Sequence, residues 1–173
     1  MMKFNKSINY ITFLGVMLSL ACILYYIEAL FLNPLTSLPG SKLGIANIIT
    51  LLTIYWIGLK EGLIISFLRV ILVNILLGGI FGLSFFLSLT GGVVSAFIMG
   101  ILERNKNLKI IYVSIFGALA HNISQLIVVS FFISHKSILF YFPFLVFFAF
   151  ITGTFNGILG EWVMNKINAI LGG

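Results

Sequence analysis

The chain has 173 residues, of which 61% are hydrophobic and only 8% are charged, and its formal net charge is +6. Soluble domains carry about 25% charged residues, so this chain cannot cover a water-facing surface and is expected to be an integral membrane protein. The sequence contains four glutamates and no aspartate. That absence excludes the aspartate-rich magnesium sites of chain-elongating prenyl transferases and the acidic magnesium ligand of Walker-type ATPases.

Two further classes of site are excluded by residue counts and spacing. One cysteine, Cys22, and two histidines, His121 and His135, cannot complete a closed structural zinc site within one chain. The basic residues are scattered or flank apolar runs, so they do not form a nucleic-acid-binding patch. We therefore predict no metal, no cofactor and no nucleic-acid partner.

Six apolar segments, each bounded by turn residues or charges, predict an all-α protein with six transmembrane helices. The chain reads as a single domain over residues 1–173. The predicted helices cover residues 8–32, 43–59, 62–80, 84–102, 110–134 and 138–164. A long connection with proline, glycine and polar residues, residues 33–41, follows the first helix, and the most charged stretch, residues 103–109, precedes the fifth.

The lysines and arginines predict the orientation of this bundle in the cell membrane. With the N-terminus inside, seven basic residues fall on the cytoplasmic side, two fall outside, and Arg69 lies within the membrane. Basic residues are enriched in cytoplasmic loops of membrane proteins. We therefore predict a multi-pass protein of the cytoplasmic membrane with both termini in the cytoplasm.

Arg69 is the most informative single residue. It follows Glu61 by eight residues, which places it roughly 12 Å further into the bilayer at 1.5 Å per residue. A central arginine costs about +2.5 to +3.5 kcal/mol on insertion scales, and such residues usually face the bundle interior with a partner. Two interpretations stay open: Arg69 meets an anionic group of a ligand, or it extends toward Glu161 as half of a structural pair.

The fifth predicted helix carries three hydrogen-bonding side chains at mid-membrane depth: His121, Asn122 and Gln125. Burying them together is costly unless they find partners, so we predict that they point inward and contact a ligand. Hydrogen bonding between helices is the alternative, in particular for Asn122. The other substrate-binding candidates are Asn47, Asn74, Asn156 and, beside the first long connection, Glu28 and Lys42.

Small residues recur at four-residue spacing on two predicted helices. Gly92, Ala96 and Gly100 form such a row on the fourth helix, and Gly153 and Gly157 form one on the sixth. Such rows let helices approach closely. They serve either packing inside the bundle or, for the row on the fourth helix, docking of a partner membrane protein.

Several short motifs in this sequence resemble those of a known family. They are, besides Arg69, PGSKLGIAN (residues 39–47), SLTGG (residues 88–92) and AHNISQ (residues 120–125). Over residues 10–165 the chain resembles the Gx transporter family, also labelled heptaprenyl diphosphate synthase component I. That family in turn resembles the six-helix substrate-binding (S) components of energy-coupling factor (ECF) transporters. The resemblance implies an S-component-like bundle that binds a small molecule under the first loop, with a separate coupling protein and two cytoplasmic ATPases supplying the energy.

Three functions are compatible with these residues. The first, which we predict, is a non-catalytic component that captures a small vitamin-like, isoprenoid or quinone-precursor molecule for transport. The second is an accessory membrane subunit in isoprenoid, quinone or flavin-linked electron-transfer metabolism. The third is a membrane-embedded enzyme, for which His121 and Glu161 are the acid–base candidates, although their predicted depths differ. Without aspartate the chain is not expected to elongate a prenyl diphosphate itself.

Overall fold

The computed structural model describes residues 7–31, 44–79, 81–133 and 140–171. These residues form six α-helices, and no strand occurs among them. The helices are α1 (Ser7–Phe31), α2 (Asn47–Trp56), α3 (Leu59–Leu76), α4 (Leu83–Glu103), α5 (Ile110–Ile133) and α6 (Phe142–Leu171). Helices α1, α4 and α5 lie within one residue of their predicted bounds at both ends, so the all-α prediction is confirmed.

Helices α2 and α3 begin at other residues than predicted because a glycine with positive φ precedes each of them. Gly44 has φ +66° and leads into a turn, so α2 begins at Asn47 rather than at residue 43. Gly58 has φ 152°, so α2 ends at Trp56 and α3 begins already at Leu59. Lys60 and Glu61 therefore belong to α3, where an acidic side chain in the first turn complements the helix dipole.

Helix α6 extends further than its apolar run. It ends at Leu171, past the predicted end at residue 164. The exposed side chains of its last turns, such as Asn165 and Lys166, need no apolar surroundings, and backbone hydrogen bonding continues without them. Hydropathy therefore located the membrane-embedded part of α6 but not its end.

Four of the six helices are long and apolar enough to cross a membrane: α1, α4, α5 and α6. Helix α3 has 18 residues but includes Lys60, Glu61 and Arg69. Helix α2 has only 10 residues, which corresponds to about 15 Å against a hydrocarbon core of about 30 Å. The six predicted helices are thus present, and four of them have the length and composition that a membrane span requires.

The short helix α2 forms the centre of the bundle. It contacts α1, α3, α4 and α6, and eight of its ten residues are buried. One apolar cluster packs Ile49 and Leu52 of α2 against Met17 of α1, and a second packs Leu51 against Ala96 of α4. Because α2 is too short to extend from one end of the bundle to the other, its first turn lies among the surrounding helices.

The small-residue rows pack helices of this chain against one another. A Cβ atom at Gly153 would lie 2.6 Å from the Cα atom of Ile115, so α6 touches the backbone of α5 there. On α4, a Cβ atom at Gly92 would lie 2.8 Å from the Ser66 hydroxyl of α3. Ala96 is fully buried, and Gly100 packs against Leu59.

These contacts correct the prediction of a partner-docking surface at Gly92, Ala96 and Gly100. The row faces α3 and the apolar core, and its three residues are buried within the chain. Periodicity identified a close helix contact correctly, but it does not distinguish a partner within the chain from a partner outside it.

Candidate functional site

Polar side chains from five helices meet around one small cavity beside the first turn of α2, called the central cavity below. Its volume is about 10 Å³, which is close to the smallest space that holds one water molecule. The described residues therefore leave little free space at this site. The lining residues are Tyr25, Glu28, Gly44, Ala46, Asn47, Arg69, Ser88 and His121.

The chain segment entering α2 is fixed over the central cavity by two side chains. The Gly44 N–H donates to Oε1 of Glu28 on α1 at 2.6 Å. The Gly44 carbonyl accepts from Nδ2 of Asn156 on α6 at 3.0 Å and from the Asn47 N–H at 2.8 Å. Irregular backbone inside a membrane protein requires such partners because lipid offers none. We call the bonds from Glu28 and Asn156 to Gly44 the Gly44 clamp.

Arg69 is buried in the lining, with only 2% of its surface exposed. Its Nη2 donates to Oδ1 of Asn47 at 3.3 Å, and its guanidinium carbon lies 5.8 Å from the centre of the Tyr25 ring, within range of a cation–π interaction. Nε and Nη1 have no hydrogen-bond acceptor among the described residues. Two of the three guanidinium nitrogens of Arg69 thus donate to no described residue.

The predicted alternative, an Arg69–Glu161 pair, is not present. The carboxylate that acts electrostatically on Arg69 is Glu28. Arg69 lies ten residues into α3, about 15 Å from the start of that helix. Glu161 follows Gly160, which packs beside Ile110 at the start of α5, at the opposite end of the bundle. Glu28, which the sequence placed beside a surface loop, is instead 3% exposed and lines the cavity.

Two adjacent glycines of α4 make room for the two basic side chains of the site. A Cβ atom at Gly91 would lie 2.8 Å from Cε1 of His121, and a Cβ atom at Gly92 would lie 3.3 Å from Nη2 of Arg69. A side chain at either position would displace the ring or the guanidinium. The glycine pair therefore lets α4 approach α3 and α5 while both side chains remain buried.

Two hydrogen bonds connect the lining to neighbouring helices. The Tyr25 hydroxyl is bonded to the Ser88 hydroxyl at 2.6 Å, which joins α1 to α4. Nδ2 of Asn47 donates to Oγ of Ser95 at 3.3 Å, which joins α2 to α4. Because Asn47 also accepts a hydrogen bond from Arg69, its amide links the guanidinium on α3 to α2 and, through Ser95, to α4.

Three predicted ligand contacts lie elsewhere. Asn122 donates to the Leu145 carbonyl at 2.9 Å, and Gln125 donates to the Leu87 carbonyl at 3.3 Å, so each joins α5 to a neighbouring helix. Asn74 donates to the carbonyl of Val70 within α3 at 2.8 Å. None of the three lines the central cavity; of the predicted trio on α5 only His121 does. Lys42, also predicted to bind substrate, lies outside the described residues.

Sequence reasoning missed Tyr25, Ser88 and Gly44 as members of the site. Tyr25 precedes Glu28 by three residues and so shares its face of α1, a signal that the sequence did contain. Ser88 belongs to the SLTGG motif of the family resemblance, but no helical pattern marked it as a site residue, because single serines are common in apolar helices. Gly44 takes part through its backbone, which no side-chain pattern reports.

A comparison of the chain with models of protein families found a match. The model of one family, described as heptaprenyl diphosphate synthase component I, matches residues 17–163. The chain belongs to the heptaprenyl diphosphate synthase component I family. The match includes all residues that line the central cavity. No curated protein and no solved structure matched the chain.

The polar groups that line the central cavity of this heptaprenyl diphosphate synthase component I member can bind a ligand through hydrogen bonds and charge. It combines a buried guanidinium, a buried carboxylate, an imidazole and an amide around one small space. No group of three or more side chains that ligate metals occurs among the residues the structure describes. The site therefore has the chemistry to recognise a small polar molecule through opposite charges.

Proposed function

We propose that this protein is the membrane-embedded substrate-binding component of an ECF-type transporter, capturing a small vitamin-like, isoprenoid or quinone-precursor molecule. One observation carries the proposal: polar and charged side chains from five helices converge on one cavity in a largely apolar bundle. Such residues are expensive within a membrane and usually mark a substrate or ion path. The donors of Arg69 that meet no acceptor among the described residues support a ligand role for the cavity.

In this proposal the Gly44 clamp is the part that opens. A cavity of about 10 Å³ is too small for an organic ligand, so binding requires the segment over the cavity to move. Two hydrogen bonds from side chains on α1 and α6 hold that segment. In typical proteins a neutral bond such as that from Asn156 contributes about 0.5–1.5 kcal/mol net, and a bond to a charged group such as Glu28 about 1.5–3 kcal/mol, so opening is thermally accessible.

Energy for uptake comes from other subunits in this proposal. The sequence has no aspartate, and residues 104–109 between α4 and α5 are too few to hold a nucleotide-binding fold. An ion-driven carrier instead needs a site for the coupling ion near the midplane. Glu28 is a carboxylate in the cavity, but a coupling cation bound there without an anion would add a net positive charge beside the buried Arg69. These features favour a separate coupling protein with cytoplasmic ATPases.

The test uses the purified protein alone, reconstituted in liposomes. Native mass spectrometry of gently purified protein first identifies the small molecule that it retains, and that molecule in labelled form is the probe. The vesicles should bind the probe without concentrating it. Accumulation driven by a proton or sodium gradient, with no partner present, would contradict the proposal.

The second candidate is an accessory subunit in isoprenoid, quinone or flavin-linked metabolism, and the family description itself favours it. A prenyl diphosphate carries at least two negative charges, whereas the cavity offers one arginine that already faces Glu28. Uncompensated buried charge is strongly unfavourable, so the cavity is poorly suited to a diphosphate. Prenyl-chain synthesis by a soluble partner that depends on this protein but not on Arg69 would favour the second candidate over the first.

A further inference from the structure

We infer that the ligand of the central cavity is a small zwitterion whose anionic group binds Arg69 and whose ammonium group binds Glu28. This inference rests on the proposed substrate-binding function and specifies the substrate class. It follows from the unused donors of Arg69, the remaining acceptor capacity of Glu28 and the charge balance between the two.

Arg69 retains one complete edge for an anion. Nη2 carries two hydrogens, one parallel to the Nε–H and the other parallel to an Nη1 hydrogen, and a single bond to Asn47 uses one of them. Nε and Nη1 have no acceptor among the described residues. Whichever Nη2 hydrogen Asn47 takes, a pair of parallel donors remains. Such a pair is the geometry that binds a carboxylate or phosphate through two bonds.

Glu28 retains acceptor capacity on the same cavity. A carboxylate offers about four lone-pair positions, and the contact recorded for Glu28 is the N–H of Gly44 on Oε1. Glu28 and Arg69 both line the cavity, yet no direct hydrogen bond between them occurs among the described side chains. Each ion is thus held by a neutral group, Glu28 by Gly44 and Arg69 by Asn47.

Charge balance determines the net charge of the ligand. Arg69 and Glu28 are nearly buried, at 2% and 3% exposure, and with the His121 imidazole neutral the formal charges of the lining sum to zero. A ligand with a net charge would leave one buried charge uncompensated, at a penalty of several kcal/mol. A zwitterion supplies an anion for the free edge of Arg69 and a cation for Glu28 without changing the total.

The experiment measures thermal unfolding of the purified protein in neutral detergent and chloride-free buffer. The probes are the α,ω-amino acids glycine, 3-aminopropanoate, 4-aminobutanoate and 6-aminohexanoate, each compared with the acid and the amine of equal chain length. At least one amino acid should raise Tm by about 3 °C or more when present at ten times its Kd. Its matched acid and its matched amine should each produce less than a third of that shift.

Two variants and two matched controls locate the effect. Arg69→Gln and Glu28→Gln should each abolish the shift, because each removes one of the two charges. Lys166→Gln and Glu161→Gln remove charges of the same sign outside the cavity lining and should keep the shift. A variant that fails to fold is replaced by Arg69→Lys or Glu28→Asp, which keeps the charge but changes the geometry. The apparent affinity for the amino acid, measured from the concentration dependence of the Tm shift, should then be at least tenfold weaker.

Three results would overturn the inference. An acid or chloride that stabilises as well as the amino acid, with dependence on Arg69 alone, would identify a simple anion site. The absence of a shift with every amino acid would contradict the inference, because Arg69 and Glu28 are expected to bind at least one of these spacings of opposite charges. A retained native ligand with a net charge would also refute the inference, but it would leave the proposed binding function intact. Failure of the proposed function is recognised separately, by gradient-driven accumulation of the retained ligand in liposomes that contain no partner.

Discussion

At the scale of single residues, Arg69 is stabilised by several weak partners rather than by one ion pair. Asn47 accepts one hydrogen bond, the Tyr25 ring lies 5.8 Å away, and Glu28 acts on it through the electrostatic field. Among the described residues the Glu28 carboxylate accepts a hydrogen bond from the Gly44 N–H, and the guanidinium in the same lining is that of Arg69. The stability of each buried ion is therefore tied to the presence of the other.

This dependence gives a double-mutant prediction. Arg69→Leu should lower the free energy of unfolding by about 1–3 kcal/mol, because it leaves the Glu28 carboxylate and the Asn47 carbonyl without their partner. Adding Glu28→Gln should restore part of the loss, with a coupling of about 0.5–3 kcal/mol. Unfolding in mixed micelles monitored by tryptophan fluorescence provides the measurement.

The matched control for this cycle is Glu161→Gln in the Arg69→Leu background. Glu161 is a carboxylate of α6 that does not line the cavity, so its neutralisation should not restore stability. Equal restoration by Glu161→Gln and Glu28→Gln would show that the coupling is a general effect of net charge and would contradict a local Arg69–Glu28 interaction.

Gly91 gives a second prediction at this scale. Gly91→Ala would place a Cβ atom 2.8 Å from Cε1 of His121, so the imidazole must move out of the cavity lining. We expect a loss of about 1–3 kcal/mol in unfolding free energy and loss of the retained ligand by native mass spectrometry. Gly15→Ala is the control, since nothing lies within 4 Å of a Cβ atom there. Equal ligand retention in both variants would contradict a role for the His121 position.

At the scale of helices, the Gly44 clamp predicts a local opening that two asparagine variants can separate. Asn156→Ala removes the bond to the Gly44 carbonyl, whereas Asn122→Ala removes a bond of similar length to the Leu145 carbonyl. Amide hydrogen exchange of the peptide covering residues 44–48 should become about fivefold to tenfold faster in Asn156→Ala, which corresponds to about 1 kcal/mol. In Asn122→Ala it should stay unchanged. Equal acceleration in both variants would mean that the segment opens only by global unfolding.

Hydropathy predicted some helices better than others, for a physical reason. The ends of α1, α4 and α5 coincide with a change from apolar to polar residues, so composition located them within one residue. The start of α2 is set instead by Gly44, whose backbone bonds reach Glu28 and Asn156, 16 and 112 residues away in sequence. Local patterns carry no information on such distant partners.

The same limit applies to the candidate site. Arg69 and His121 were predicted because an ionisable or polar side chain in an apolar helix needs a buried partner, and both line the cavity. Asn122 and Gln125 met the same criterion, yet their partners are backbone carbonyls of neighbouring helices. Helical periodicity predicts which residues point inward, but which of them face the cavity depends on how α4 and α6 pack against α5.

At the scale of the whole molecule, the helices place the basic connections at one end of the bundle. Tyr10 of α1 donates to Glu61 of α3 at 2.7 Å, so both helices begin at the same end. Gly100, near the end of α4, packs against Leu59, the first residue of α3. The α4–α5 connection, with Arg104 and its neighbouring lysines, therefore lies at that end, while the Gly44 clamp lies toward the other.

This distribution of charge predicts the orientation of the protein in the membrane. Basic residues are retained on the cytoplasmic side, so the α4–α5 connection and both termini are expected in the cytoplasm, and the α1–α2 connection outside. The test starts from Cys22→Ser, which removes the single native thiol. One reporter is Asn105→Cys, at an exposed position between α4 and α5. The other is Ser37→Cys in the α1–α2 connection, which lies outside the described residues.

On intact cells, a membrane-impermeant maleimide should label Ser37→Cys and should label Asn105→Cys only after permeabilisation. Labelling after denaturation serves as the reference for both reporters, so that a thiol shielded by the fold is not mistaken for one on the far side. The reverse pattern, with Asn105→Cys labelled on intact cells and Ser37→Cys protected, would contradict the orientation. It would also place the Gly44 clamp toward the cytoplasm, where a component that captures its ligand from outside cannot use it as an entrance.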